Sequence, residues 1–115
     1  MLDDVTSAAL QVALSGLAQR QRVIANNIAN IQTPNYRAGV VGFESELKAA
    51  VQAGTPLAAR PSVSTSLEPT RTDGNNVNLD HETLSNVDTG LRYQLALRAM
   101  DAKMSLLHDA IKGGA

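Results

Sequence analysis

The chain has 115 residues, enough for one domain, and its net charge of -1 leaves no basic field for nucleic acid or an anionic membrane surface. Cysteine is absent, which excludes disulfides and thiolate chemistry, and no apolar run approaches the roughly 20 residues that span a bilayer. Only Tyr36, Phe43 and Tyr93 are aromatic, although 43% of the residues are hydrophobic. Apolar surface made of small and medium side chains is more typical of long packed helices than of a globule.

The first part, residues 1–32, has the pattern of a long helix that begins near Asp3. Its large apolar residues recur at an alternating four-three spacing over about three heptads, which predicts a coiled-coil-like face. Gln21 fills one gap in this series, where a polar residue lowers stability but can fix the register of the pairing. The members of this N-terminal seam are Leu10, Leu14, Leu17, Gln21, Ile24, Ile28 and Ile31.

The end of this helix carries three asparagines, whose short amides compete with the backbone for its own hydrogen bonds. Asn26 and Asn30 are one turn apart, so their amides can meet on a single face, with Asn27 beside them. Pro34 then predicts a stop, because proline pushes Thr33 out of the helical region. Asparagines that destabilise the helix just before it ends predict that a partner outside the chain binds these amides. A frayed helix end with solvated asparagines is the alternative interpretation.

The second part, residues 33–79, contains all four prolines of the chain and four of its eight glycines. Residues 43–52 predict a short helix with Phe43, Leu47, Ala50 and Val51 on one side. Residues 54–78 are rich in Ser, Thr and Pro with few large apolar side chains, and this composition predicts a long flexible loop.

The third part, residues 80–115, is again helical in pattern, with Asp80 as the predicted cap and Glu82 in the first turn. The four-three spacing returns here and defines a C-terminal seam, and further leucines add a second apolar side. The members of the C-terminal seam are Tyr93, Leu97, Met100, Met104, Leu107 and Ile111.

These three parts predict an all-α fold that forms one structural unit. Long N- and C-terminal helices form a coiled-coil-like pair, joined by a flexible Pro/Gly/Ser/Thr-rich middle segment. Two such helices, paired only with each other, leave part of their apolar surface in water. The sequence therefore predicts a protein that completes its ordering inside an assembly.

No constellation of residues supports catalysis or cofactor binding. His81 and His108 lack partners at metal-ligand spacing, and the serines do not form a Gly-x-Ser-x-Gly elbow. Residues 73–75 superficially resemble a calcium loop, but the acidic spacing downstream fails, so a simple turn is expected. No metal, cofactor, nucleic acid or small-molecule substrate is predicted.

Two stretches resemble the N-terminal motif of the bacterial flagellar rod and hook family. They are Ala-Asn-Asn-Ile-Ala-Asn at residues 25–30 and Thr-Pro-Asn-Tyr-Arg at residues 33–37, where the family usually has Thr-Pro-Gly-Tyr-Lys. Residues 73–80 and 91–94 narrow the resemblance to the proximal rod proteins of the FlgB type, and residues 54–72 carry none of it. The positions matched to the motif and its turn are Asn26, Asn27, Asn30, Thr33, Pro34, Asn35 and Tyr36.

The resemblance implies a structural subunit of the flagellar basal-body rod, the axial shaft that transmits torque and surrounds the export channel. It implies export by the flagellar type III apparatus without a cleaved signal, which agrees with an acidic N-terminus lacking a basic n-region. The implied partners are further copies of the chain, other rod proteins, and the export-gate and membrane-ring junction proteins at the rod base. The two seams would then pack within and between subunits.

Two alternatives remain open. One is another rod component of the same family, such as the second proximal rod protein, which the sequence of residues 91–94 disfavours. The other is a small secreted helical protein that binds a partner through its helices. A small enzyme would need a convergent polar site, which the sequence does not offer.

Overall fold

The computed structural model describes residues 2–113 and is mostly helical. In chain order the elements are α1 (Leu2–Ala29), β1 (Gly39–Gly42), α2 (Glu44–Gln52), a 3₁₀ turn (Pro56–Ala58), β2 (Ser62–Thr65) and α3 (Leu79–Gly113). The long N- and C-terminal helices and the short helix between them are confirmed, and the periodicity of apolar residues was sufficient to find all three. The molecule is elongated, with principal extents of 67 × 25 × 14 Å.

The two long helices pair side by side in antiparallel directions. Near the end of α1, the Nδ2 of Asn27 donates to the Oε2 of Glu82, near the start of α3, over 3.2 Å. Farther along, Gly90 lies beside Gln21, and Tyr93 packs at the cluster that contains Leu17. Residue numbers along α3 therefore increase as the numbers of the residues that they contact on α1 decrease, which makes the two helices antiparallel.

The apolar core lies where α1, β1 and the start of α2 meet. Leu17, Val41 and Phe43 form its buried centre, each only 4% exposed. The Phe43 ring lies directly against Gly16, since a Cβ built on that glycine would be 2.5 Å from the ring Cδ1. Gly16 therefore serves the close approach of an aromatic ring to α1. Half-buried side chains surround this centre: Ala13, Val23, Leu47, Tyr93 and Ala96.

The middle segment corrects the all-α prediction, because β1 and β2 form an antiparallel two-stranded sheet. The register pairs Gly39 with Thr65 and Gly42 with Ser62. Residues 54–78, expected to be a flexible loop, contain the 3₁₀ turn, β2 and a turn that reaches α3. Pro56 and Ala59 are buried, which anchors this segment on the rest of the chain.

The start of α3 also differs from the prediction. The helix begins at Leu79, and the Oδ1 of Asn78 accepts a hydrogen bond of 3.1 Å from the His81 backbone N–H. A side-chain oxygen that satisfies a first-turn N–H is the N-cap arrangement. The capping role expected of Asp80 therefore belongs to Asn78, two residues earlier.

Candidate functional site

A cluster of hydrogen-bonded polar side chains, of which Asn27, Asn75 and Asn76 are buried, joins the end of α1 to the start of α3, and we call it the asparagine junction. Its members are Asn27, Asn30, Asn75, Asn76 and Arg71. Within the part of the chain that the structure describes, every buried side-chain N or O atom has a hydrogen-bond partner. Satisfied polar networks of this kind fix a unique arrangement of the elements that they connect.

The Asn27 side chain makes four hydrogen bonds and is 1% exposed. Its Oδ1 accepts from the Gly39 N–H and its Nδ2 donates to the Gly39 carbonyl, both over 2.9 Å. This amide therefore pairs with the outer edge of β1 as a neighbouring strand would. The same Oδ1 accepts from the Tyr36 hydroxyl over 3.2 Å, and the same Nδ2 donates to Glu82. One side chain thus connects α1, β1 and α3.

Asn26 and Asn30 lie on one face, as predicted. The Nδ2 of Asn30 donates to the Asn26 backbone carbonyl over 2.8 Å and approaches the Asn26 Oδ1 at 3.4 Å. This is the competition with helix hydrogen bonding that the sequence predicts, and α1 ends at Ala29, about three residues before the predicted end. The Oδ1 of Asn30 also accepts from the Thr33 hydroxyl, and Asn26 donates to the Tyr36 hydroxyl over 2.9 Å.

The turn after Pro34 places Asn35 in the left-handed region, with φ 63°. The resemblance places a glycine at this position, and asparagine is one of the few other residues that tolerate the conformation. The Asn35 N–H donates to the Asp73 carbonyl over 2.8 Å, which joins this turn to a second one. Gly74 in that second turn has φ 82°, and an added Cβ would be 3.1 Å from the Asn35 Cα. The two turns therefore pack backbone against backbone.

Asn75 and Arg71 donate hydrogen bonds to backbone carbonyls of the turn that follows α1. The Asn75 Nδ2 donates to the carbonyls of Asn30 and Thr33 over 2.8 and 2.9 Å. Arg71 donates to the Ile31 carbonyl over 2.8 Å and to the Asn75 Oδ1. These two side chains, 40 to 45 residues further along the chain, therefore hold the turn that follows α1.

Asn76 connects the sheet to the same junction. Its Oδ1 accepts from the Ala38 N–H over 2.7 Å, just before β1. Its Nδ2 donates to the carbonyls of Ser66 and Glu68, just after β2. Asn76 is 6% exposed and holds both ends of the hairpin next to the start of α3.

These contacts revise the expectation that the amides of the first helix serve a partner outside the chain. For Asn27 this expectation is wrong, because its donors and its acceptor are occupied within the chain. The frayed-end alternative is wrong for Asn27 as well. For Asn26, which is exposed, and Asn30, which is half-buried, contact with a partner outside the chain stays a prediction. The sequence identified a turn at residues 73–75 but missed the roles of Asn75, Asn76 and Arg71. Asn75 and Asn76 lie in the stretch 73–80 that carries the family resemblance, but nothing in the sequence pairs them or Arg71 with the end of α1.

The N-terminal seam lies against the rest of the molecule. Leu17 and Ile24 are buried, and the other seam positions are half-buried. Gln21 is half-buried beside Gly90, where the helix surface offers room for its amide.

The C-terminal seam behaves differently, because the face of α3 toward α1 is lined by smaller and more polar residues. Apart from Gly90, the less exposed positions recur at roughly heptad spacing: Glu82, Ser85, Thr89, Tyr93, Ala96, Met100 and Lys103. Only Tyr93 and Met100 belong to the predicted C-terminal seam. Its other members are 43–69% exposed: Leu97, Met104, Leu107 and Ile111. Packing of these four between subunits stays a prediction.

The opposite side of α3 carries a second apolar row, which we call the outer stripe. Its members are spaced by three, four or eleven residues, which places them on one side of the helix. All are 58–71% exposed: Leu84, Val87, Leu91, Leu95 and Leu106.

One ion pair borders the core. Arg20 donates to both carboxylate oxygens of Glu44 over 2.6 and 2.7 Å, and to the Val41 carbonyl over 2.8 Å. Its guanidinium also lies 5.0 Å from the centroid of the Phe43 ring. The hydrogen bond from Arg20 lowers the pKa of Glu44 from 4.5 to about 2, against the opposing effect of burial. The same bond raises the pKa of Arg20.

Neither metal binding nor membrane insertion has structural support within residues 2–113. Among residues 5–113, no three or more His, Asp or Glu side chains approach closely enough to hold a metal ion. No helix of the same region combines the length and the apolarity needed to cross a bilayer.

Comparisons with known proteins identify the family that the motif at the end of α1 resembles. The family model described as flagella basal body rod protein matches residues 9–37. The chain is 34% identical to the flagellar basal body rod protein FlgB of Escherichia coli (strain K12), over 99% of both chains. It is 31% identical to the FlgB of Salmonella typhimurium, again over 99% of both. Identity to the FlgB of Bacillus subtilis (strain 168) is 32%, over 91% of this chain and 92% of that one.

Proposed function

Since the chain belongs to the family of FlgB flagellar basal body rod proteins, we propose that it is a structural subunit of the proximal rod. In this proposal it assembles with further copies and with other rod proteins into the axial shaft. The shaft transmits torque and surrounds the export channel. The parts 1–32, 33–79 and 80–115 act as one structural unit, and the chain has no catalytic role.

The observation that carries this proposal is the exposed apolar surface of α3. The outer stripe lies on one side of the helix, and four members of the C-terminal seam are exposed near its distal half. Apart from Lys103, every residue from 101 to 113 is exposed. Apolar side chains that stay in water do not stabilise the single chain, whereas full burial of each one in an assembly contributes roughly 1.5–3 kcal/mol to the free energy of association.

The distal half of α3 therefore buries little apolar surface within the chain, and helices in proteins owe most of their stability to such packing. We expect the purified chain to show less helix by circular dichroism than α1 and α3 contain together. A purified chain with the full helix content and one cooperative melt at all concentrations would contradict ordering that depends on assembly.

The finer features of the proposal concern delivery and neighbours. We propose export through the flagellar type III apparatus without a cleaved signal, and a location at the rod base. The neighbours there would be the export gate and the protein that joins the rod to the membrane ring. Family membership is what supports these features.

Deletion of the gene tests the proposal. We expect a clean deletion strain to lack complete, rotating flagella, and expression of the unsubstituted chain from a plasmid to restore them. A deletion strain that still builds rotating flagella would refute the proposed function. Detection of the chain in basal bodies from the complemented strain is the matched positive control.

A further inference from the structure

The two edges of the β1–β2 sheet differ in how they are covered. In an antiparallel pair, residues alternate between those whose backbone groups bond the partner strand and those whose groups point away from it. The Ser66 N–H donates to the Ala38 carbonyl over 2.8 Å, and the register pairs these positions with each other. The backbone groups of Gly39 and Val41 therefore point away from β2.

Side chains of α1 cover that outer edge of β1. Asn27 bonds both the N–H and the carbonyl of Gly39, and Arg20 donates to the Val41 carbonyl. The edge of β1 is thus closed to any further strand.

The same alternation leaves the N–H and carbonyl groups of Val63 and Thr65 pointing outward from β2. Neither residue makes an outward backbone hydrogen bond to any residue that the structure describes. All four residues of β2 are exposed. The strand contains no charge and no proline, and it has no bulge in its register. Apart from its short length, it carries none of the devices by which proteins protect a free edge from pairing.

We propose that the free edge of β2 accepts an extended segment of a different basal-body protein as a third strand. This inference rests on the proposed function, which places the chain among other proteins of the rod base. Strand addition would satisfy the four outward backbone groups of Val63 and Thr65.

A second copy of the chain is a poorer occupant. Among the described strands only β2 has a free edge, so two copies can pair only β2 with β2. Such a contact is two-fold and closed, whereas growth of a rod needs open, head-to-tail contacts.

The side chains of β2 also define the chemistry of the segment. Val63 lies opposite Val41 on the side of the sheet that faces the core, and it is still 54% exposed. Ser62 and Ser64 lie on the other side. The added strand should therefore carry an apolar, β-branched residue next to Val63 and polar residues at the alternate positions. It should have no proline among the residues that pair with Val63 and Thr65.

Amide hydrogen exchange in the unsubstituted chain is the primary test, and it compares the purified chain with isolated basal bodies. In the purified chain we expect the outward amides of Val63 and Thr65 to exchange much faster than the inward amides of Ser64 and Ser66. In basal bodies we expect the outward amides to slow at least 100-fold. Amides that exchange equally fast in basal bodies would overturn the proposal.

Two further outcomes would also overturn it. Slow outward amides in the purified chain, together with a dimer in sedimentation, would assign the edge to a second copy. Absence of the chain from basal bodies would overturn the proposed function and this inference together. A chain that is present with fast outward amides would overturn this inference alone.

Proline substitutions provide an independent test in cells. Val63→Pro and Thr65→Pro remove outward N–H groups without removing a bond to β1, whereas Val63→Thr keeps both the N–H and the side-chain shape. We expect the proline variants to reduce swimming at least tenfold and Val63→Thr to swim normally. Normal swimming by both proline variants would refute the proposal. If a proline variant unfolds when purified, the amide hydrogen exchange of the unsubstituted chain decides whether the proposal stands.

Discussion

The adjacent residues Asn26 and Asn27 offer a matched test of the asparagine junction, since both carry the same side chain but only one is buried. Asn27→Ala removes the partner of the Gly39 N–H, of the Gly39 carbonyl and of the Glu82 carboxylate. A buried polar group left unpaired costs about 1–3 kcal/mol. Gly39 is half-buried and Glu82 is buried, so we assign about 1 kcal/mol to each Gly39 group and about 2 to Glu82.

The expected loss for Asn27→Ala is therefore about 4 kcal/mol, a large part of the 5–15 kcal/mol that is typical of folded proteins. Asn26→Ala breaks two exposed hydrogen bonds, one to the Tyr36 hydroxyl, which keeps its contact with Asn27, and a longer one of 3.4 Å from Asn30. We expect these exposed bonds to cost about 1 kcal/mol together. The measurement is the free energy of unfolding in urea, followed by circular dichroism and tyrosine fluorescence. Equal losses for the two variants would refute the central role of Asn27.

Two further predictions concern the core and its ion pair. Gly16→Ala places a methyl group 2.5 Å from the buried Phe43 ring, so we expect a loss of about 1–3 kcal/mol in urea unfolding, and Gly42→Ala, with open space around it, serves as the control. The pKa of Glu44 is about 2 in the folded chain, against an ordinary value of 4.5. The ion pair of Glu44 therefore contributes its full share to the free energy of unfolding above pH 4.5, and this share declines as the pH falls toward 2. Because Glu44 is largely exposed and solvent screens the pair with Arg20, we expect this contribution to be about 1–2 kcal/mol, measured as the difference in pH dependence between the unsubstituted chain and Glu44→Gln. Identical pH profiles for those two chains would contradict the assignment.

The helices could be predicted from sequence because each carries a long apolar period. Four-residue strands offer no comparable signal. β1 begins and ends in glycine, and β2 has one apolar residue among hydroxyl residues. Their pairing depends on Asn27 and Asn76, which bond the backbone around β1 from distant positions in the chain. Such tertiary hydrogen bonds leave no periodic trace.

The face of α3 toward α1 was mispredicted for a related reason. Periodicity selects the largest apolar residues, which here include Leu97 and Met104. Packing against α1 instead uses smaller side chains such as Thr89 and Ala96 beside Tyr93 and Met100, and it leaves Leu97 and Met104 exposed. In a subunit that orders within an assembly, the strongest hydrophobic signal marks contacts between chains as much as contacts within one.

The junction itself was only partly predictable. The sequence indicated that the asparagines around Asn27, which weaken the helix, have a binding partner, but it placed that partner outside the chain. In the structure the partners of Asn27 are Gly39 and Glu82, which lie 12 and 55 residues from it in the same chain. A single sequence does not distinguish these two uses of an amide.

The central claim is that neighbouring subunits cover the outer stripe of α3. The chain has no cysteine, so Leu91→Cys introduces one thiol at a position that is 58% exposed in the single chain. Its rate of maleimide labelling can then be compared between the purified chain and isolated basal bodies. We predict rapid labelling of the purified chain and labelling at least 100-fold slower in basal bodies. Equal rates in the two would contradict the claim.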